Sequence, residues 1–169
     1  EPYRRQRQMC IRDSMSTATG AALGNKLDGR DSHVFVFVGD GECGEGSIWE
    51  AAMYAHQYKL GNLVVFVDRN GMSFDGPTEE YMALEPFADK WRAFGWNVIE
   101  TDGNDVDAVE KALRQAQENR GSGRPTVVIA VTTKGKGVSF MENDILWHYR
   151  TPQGEEYDAA LAELEAQRP

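Results

Sequence analysis

Asp40 and Asn70 are the two side chains in this sequence best placed to share one ligand. Asp40 stands in Gly39-Asp40-Gly41-Glu42 and Asn70 in Asp68-Arg69-Asn70-Gly71; each segment directly follows an unbroken apolar run, Val34 to Val38 and Leu63 to Val67. A carboxylate oxygen and an amide oxygen on separate strand ends suit a hard cation such as Mg²⁺. That ion takes one or two protein oxygens and completes its octahedron with phosphate oxygens and water. Gly41 has no side chain to hold a diphosphate away from its backbone N–H. Gly-Asp-Gly alone is a common turn. Paired with Asn70 on a matching element, it reads as a cation–diphosphate site.

The elements that carry these residues follow from hydrophobic patterning. The two apolar runs are β-branched and aromatic, as in strands buried on both faces of a parallel sheet. Between them, Ser47 to Leu60 has helical composition, and Gly61-Asn62 is a stop signal. The same reading gives a helix over Ser16–Leu27 and strands over His33–Val38 and Leu63–Asp68. It gives a polar binding loop over Asn70–Glu80 and a short helix over Phe87–Phe94. Further strands cover Trp96–Glu100 and Thr126–Val131, and a terminal helix covers Glu155–Ala166. Asp105 is an expected N-cap, opening a helix whose Val106, Val109, Leu113 and Ala116 recur at helical spacing. Strands alternating with helices predict an α/β fold, a doubly wound, mostly parallel sheet. Ligands bind such sheets beyond the carboxyl ends of the strands, where Asp40, Asn70, Asp102 and Thr133 all fall.

The two loops resemble the thiamine diphosphate signature, and their flanks resemble its transketolase form. Gly39-Asp40-Gly41-Glu42-Cys43-Gly44-Glu45-Gly46-Ser47 carries the Glu-Gly pair that follows the tripeptide in that family. Asp68-Arg69-Asn70-Gly71-Met72-Ser73-Phe74-Asp75-Gly76 is similar to its metal loop, and Thr132-Thr133-Lys134-Gly135-Lys136-Gly137 to its strand-end loop near the cofactor. The resemblance runs from about Met15 to the C-terminus. It implies the thiamine diphosphate-binding fold, with thiamine diphosphate and Mg²⁺ (or Ca²⁺ or Mn²⁺) as cofactors. Asp40, Asn70 and the Met72 main-chain carbonyl would be the metal ligands. Gly39, Asp40, Gly41, Glu42, Asn70, Phe74 and His148 would bind the cofactor, and His148 and Glu45 would serve catalysis. Without the resemblance, Glu45 is a helix-start glutamate favourable to the dipole, Met72 and Phe74 are packing residues, and Lys134 and Lys136 are solvated. His33 and His56 read as structural.

The segment Phe140 to Tyr149 departs from the long-form family pattern and looks like the stand-alone N-terminal subunits of split transketolases. The implied activity is transfer of a two-carbon ketol unit between sugar phosphates. The implied partner is a C-terminal subunit carrying the pyrimidine-binding domain, in a homo- or heterodimer or a heterotetramer. The implied setting is carbohydrate metabolism, the pentose phosphate pathway, in the cytoplasm. Another thiamine diphosphate enzyme (a deoxyxylulose-phosphate synthase or a 2-oxo-acid dehydrogenase component) and a non-catalytic interaction domain are the alternatives. The Glu45-Gly46 pair and the Thr132–Gly137 loop favour transketolase over the other enzymes.

A net charge of −9 over 169 residues argues against nucleic acid or an anionic membrane as partner, since both need a basic face. No apolar stretch reaches the roughly 18 residues of a membrane span. Two cysteines make no disulfide framework. The first residues stand apart: Glu1 to Asp13 has no apolar periodicity and concentrates four arginines in an otherwise acidic chain. Arg4 to Asp13 resembles the in-frame translation of a transposase adapter used in DNA-library preparation, and such segments are excluded from fold reasoning. The expectation is an adapter-derived, disordered arm over residues 1–14, a single domain over 15–169, and a natural sequence truncated at its N-terminus.

Overall fold

The computed structural model describes residues 13–168. The arginine-rich span through Arg12 lies outside the described residues. The elements are α1 (Asp13–Leu27), β1 (Val34–Gly39), α2 (Gly46–Gln57), β2 (Leu63–Arg69), β3 (Met72–Ser73), β4 (Gly76–Pro77), α3 (Thr78–Tyr81), α4 (Phe87–Ala93), β5 (Asn97–Asp102), α5 (Val106–Glu118), β6 (Thr126–Val131), α6 (Leu146–Tyr149) and α7 (Glu155–Ala166). Asp13 and Ser14, the last residues of the expected arm, are described as part of α1.

The main sheet has the order β1-β2-β6-β5, and every pairing in it is parallel. Its register sets Val34, Val36 and Val38 beside Leu63, Val65 and Val67 on one face. That face packs on α1, α2 and α4 through Met15, Ala18, Ala22, Ile48, Ala52, Ala55, Phe87 and Trp91. The buried positions of α2, Ile48, Ala51, Ala52 and Ala55, recur at helical spacing, and the three alanines let the helix lie close to the strands. The indole N–H of Trp96 donates to the Ala52 carbonyl at 3.0 Å, so this buried aromatic keeps its polar atom satisfied. On the other face, Val64, Ile99 and Val128 pack on Ala112 and Ala116 of α5.

Several sequence expectations are corrected. β1 is not buried on both faces: among the described residues it is an edge strand, and Phe35 and Phe37 are 49% and 63% exposed. Phe37 stacks on Phe66 at 5.3 Å, but the cluster under α5 reaches only as far as Val64 and Phe66 of β2 and takes in no residue of β1. The expected stripe on α5 also shifts. Val106 is 80% exposed, because it opens the helix at the sheet's rim, and the buried positions are Ala112 and Ala116. Asp105 is the N-cap, accepting from the Asp107 and Ala108 amides. The residue that ends α2 in a left-handed conformation is Lys59 (φ 52°), not Gly61. Gly61 is needed for space: a Cβ there would collide with the Arg120 carbonyl oxygen. The expected loop over Asn70–Glu80 contains the β3–β4 hairpin and the first residues of α3.

Candidate functional site

Gly39, Asp40, Gly41, Glu42, Glu45, Asn70, Met72, Phe74 and His148, the complete set of expected site residues, line one cleft of about 280 Å³. Asp68, Ser73 and Lys134 complete its wall. The cleft lies beyond the carboxyl ends of β1 and β2, because the parallel register brings Gly39 beside Asp68 and the two following loops start side by side. Parallel pairing is what converts two distant sequence segments into one site.

Asp40 is buried, with 1% of its surface exposed. Its Oδ1 accepts from the Gly41 amide at 2.8 Å. Its Oδ2 accepts from the Gly71 amide at 2.7 Å and from Arg69 Nη1 at 3.0 Å. Burial pushes the Asp40 carboxyl above its ordinary value, against the opposing pull of Arg69 and the two amides. Gly71 reaches Asp40 from a left-handed conformation, φ 76°, which a residue without Cβ adopts freely. Gly41 packs tightly on the opposite wall: a Cβ there would sit 3.2 Å from the Ser73 Cα. Asn70 accepts from the Met72 amide through Oδ1 at 2.9 Å and donates from Nδ2 to Asp68 Oδ2 at 3.0 Å.

Both candidate ligand oxygens therefore keep accepting capacity. A carboxylate or amide oxygen has two acceptor positions, and among the described residues Asp40 Oδ1 and Asn70 Oδ1 each receive a single hydrogen bond. Hard oxygens from two strand ends, with capacity to spare, fit a divalent cation of the Mg²⁺ type. The cleft lining holds Asp40, Glu42, Glu45 and Asp68 against Lys134. An acidic wall of this kind repels a bare diphosphate and accepts one as a complex with its cation. Among the described residues no group of three or more His, Cys, Asp and Glu side chains could hold a metal.

Glu45 occupies the N-cap position of α2 without a side-chain capping hydrogen bond, and its side chain lines the cleft. His148 is carried on α6, an exposed turn 78 residues beyond Asn70. Tyr149 fastens that turn to the cleft by donating its hydroxyl to the Phe74 carbonyl at 2.6 Å. Phe74 is 52% exposed and meets Tyr81 edge-on at 6.2 Å. Two residues from the expected strand-end cluster lie elsewhere. Asp102 and Thr133 line a separate recess with Lys136, which pairs with Glu142 at 3.5 Å.

Arg69 is the residue that sequence reasoning passed over. Its guanidinium is 12% exposed and joins Asp40 to Thr78, Glu79 and Glu85, at 2.7–3.0 Å, while stacking over Phe87 at 5.8 Å. It locks the cleft's carboxylate to the chain that follows the β3–β4 hairpin. A signal existed: strand alternation places Arg69 on the same face as Val65 and Val67, where a charge needs partners.

Residues 8–162 match the family described as the transketolase, thiamine diphosphate binding domain. The chain is 44% identical over 150 residues to an apulose-4-phosphate transketolase subunit of Phocaeicola vulgatus, covering 89% of this chain and 53% of that one. It is also 44% identical over 150 residues to the 6-deoxy-6-sulfo-D-fructose transketolase subunit SqwG of a Clostridium species, covering 89% and 54%. The chain thus spans about half the length of these curated relatives. Its fold superposes on the transketolase of Campylobacter jejuni with a TM-score of 0.69 at 29% identity, over 80% of this chain and 21% of that one. Among the described residues, no helix is long and apolar enough to cross a membrane.

Proposed function

Because this chain belongs to the transketolase family, through the thiamine diphosphate binding domain, we propose that it forms the diphosphate-binding part of the N-terminal subunit of a split transketolase. The observation that carries the reading is the convergence of all nine expected site residues on one cleft. In this reading Asp40, Asn70 and the Met72 carbonyl hold Mg²⁺, or Ca²⁺ or Mn²⁺ in its place. Gly39, Gly41 and Glu42 present backbone to the diphosphate, with Lys134 balancing its charge. Phe74 packs beside the cofactor rings. His148 faces the diphosphate and the substrate, and Glu45 faces the neighbouring cofactor site across a subunit boundary. When bound, thiamine diphosphate supplies the carbanion chemistry of two-carbon transfer. The chain's own groups bind and orient it.

The partner in this reading is a C-terminal subunit that carries the pyrimidine-binding domain and the general acid–base group for the aminopyrimidine. Two relatives whose names include "subunit" support a divided enzyme. Their names also place an anionic group, phosphate in one and sulfo in the other, on the sugar. The substrates proposed here are sugar phosphates, a ketose donor and an aldose acceptor. The assembly proposed is a heterotetramer in the cytoplasm, serving the pentose phosphate pathway.

The test is titration of the chain with Mn²⁺ and thiamine diphosphate, followed by reconstitution with sugar phosphates and the partner subunit. Asp40→Ala and Asn70→Ala should each abolish cofactor-dependent metal binding and ketol transfer. Wild-type binding in both variants would sink the assignment. Turnover by residues 15–169 without a partner would refute the divided-enzyme reading.

A further inference from the structure

The two ends of an asparagine amide are chemically distinct: the oxygen accepts and the nitrogen donates. A hard cation is held by the oxygen alone. Asn70 lies between two groups that can each meet only one end. The Met72 amide, a donor, reaches Oδ1 at 2.9 Å, and the Asp68 carboxylate, an acceptor, receives Nδ2 at 3.0 Å. Together they determine the amide's orientation without ambiguity.

Asp68 is itself anchored on both sides. Its Oδ1 accepts from the hydroxyl of Thr132, the residue directly after β6. Its carbonyl accepts from the Asp40 amide at 3.1 Å. One residue thus ties the end of β2 to β6 and to the loop after β1, while its side chain lines the cleft beside Asn70. We infer that Asp68 is a positioning residue: it holds the Asn70 amide with the oxygen available as ligand, and this hold matters more than its charge. The inference deepens the proposed cofactor site and rests on that reading.

Two substitutions separate hold from charge. Asp68→Ala removes both and leaves the Asn70 amide with the Met72 N–H alone. Asp68→Asn removes the charge and keeps the hold. Its Oδ1 can accept from Asn70 Nδ2, and its own Nδ2 can donate to the Thr132 hydroxyl, which accepts as readily as it donates.

The experiment uses the full chain with Mn²⁺ as the paramagnetic probe, titrated by electron paramagnetic resonance in the presence of thiamine diphosphate. Asp68→Ala should weaken Mn²⁺ binding by about 10–100-fold, the usual effect of losing a ligand's orienting partner, while Asp68→Asn stays within about threefold of wild type. A readout independent of binding is the Asn70 side-chain amide signal in NMR, identified by its loss in Asn70→Ala. It should exchange slowly with solvent in wild type and Asp68→Asn, and fast in Asp68→Ala. Circular dichroism melts restrict the comparison to folded protein. Equal loss of affinity in the two Asp68 variants would make charge the cause and overturn the inference. So would wild-type affinity and slow amide exchange in folded Asp68→Ala. If Asn70→Ala binds Mn²⁺ like wild type, or if wild type binds none, the cofactor reading falls. The amide-exchange comparison then still decides whether Asp68 holds Asn70.

Discussion

Replacing Arg69 by Met should destabilise the protein by about 3 kcal/mol, and the figure follows from what the guanidinium touches. Methionine keeps most of the buried apolar stem, so the loss is electrostatic rather than a cavity. Breaking a buried ion pair by removing one partner costs about 3–5 kcal/mol, because the remaining charge stays buried without compensation. Asp40 is that remaining charge, 1% exposed. It keeps the Gly41 and Gly71 amides, which places the cost at the low end of the range. The pairs to Glu79 and Glu85 add little, since those side chains are 42% and 60% exposed and solvent screens them. For a chain of this size, such a loss lowers Tm by about 6–12 °C. Thermal and urea denaturation of Arg69→Met, Asp40→Asn and the double variant should show a coupling of about 2 kcal/mol between the two sites. Additive effects, or a Tm drop under about 2 °C for Arg69→Met, would show that the cluster does not hold the cleft's carboxylate.

Three further outcomes are expected. Glu85 is held below the ordinary carboxylate value by the Phe87 amide and then by Arg69. Glu79 is lowered against its desolvation by the Leu84 and Glu85 amides and Arg69. Their stabilisation is therefore complete above the unfolded carboxylate pKa and lost as pH falls through their lowered folded values. A Glu79→Gln, Glu85→Gln double variant should show a shallower acid loss of stability below about pH 4.5 in a urea series, and an unchanged slope would contradict this. Cys43 is fully buried, and desolvation raises its thiol pKa, so in a Cys10→Ser background it should react with a disulfide reagent only after unfolding. Fast native labelling would place Cys43 at an accessible surface. Gly61→Ala forces a Cβ against the Arg120 carbonyl and should cost about 1–3 kcal/mol in chemical denaturation. A neutral substitution would mean that the segment after α5 yields freely.

What the sequence alone determined is the local grammar of this protein. Apolar runs that stop at Gly-Asp and Asp-Arg-Asn announced β1 and β2, and the bounds of β6 and α7 match the reading to the residue. The site residues were legible for the same reason: strand ends followed by loops of one chemistry can be read from neighbours in the chain. Which strands lie side by side is decided by pairing between distant segments. Only the tertiary structure therefore decided the order β1-β2-β6-β5. A run such as Val34 to Val38 shows that its side chains are apolar, but not whether anything covers each face. Phe35 and Phe37 look as buried in sequence as Val64 does, yet α5 covers only the latter. The partners of Arg69 and Asp68 were not legible, because Asp40, Glu85 and Thr132 stand 29, 16 and 64 positions away. A charge finds its counter-charge through space. Chain spacing cannot foretell the carboxylate it will meet, and folding alone brings the two together.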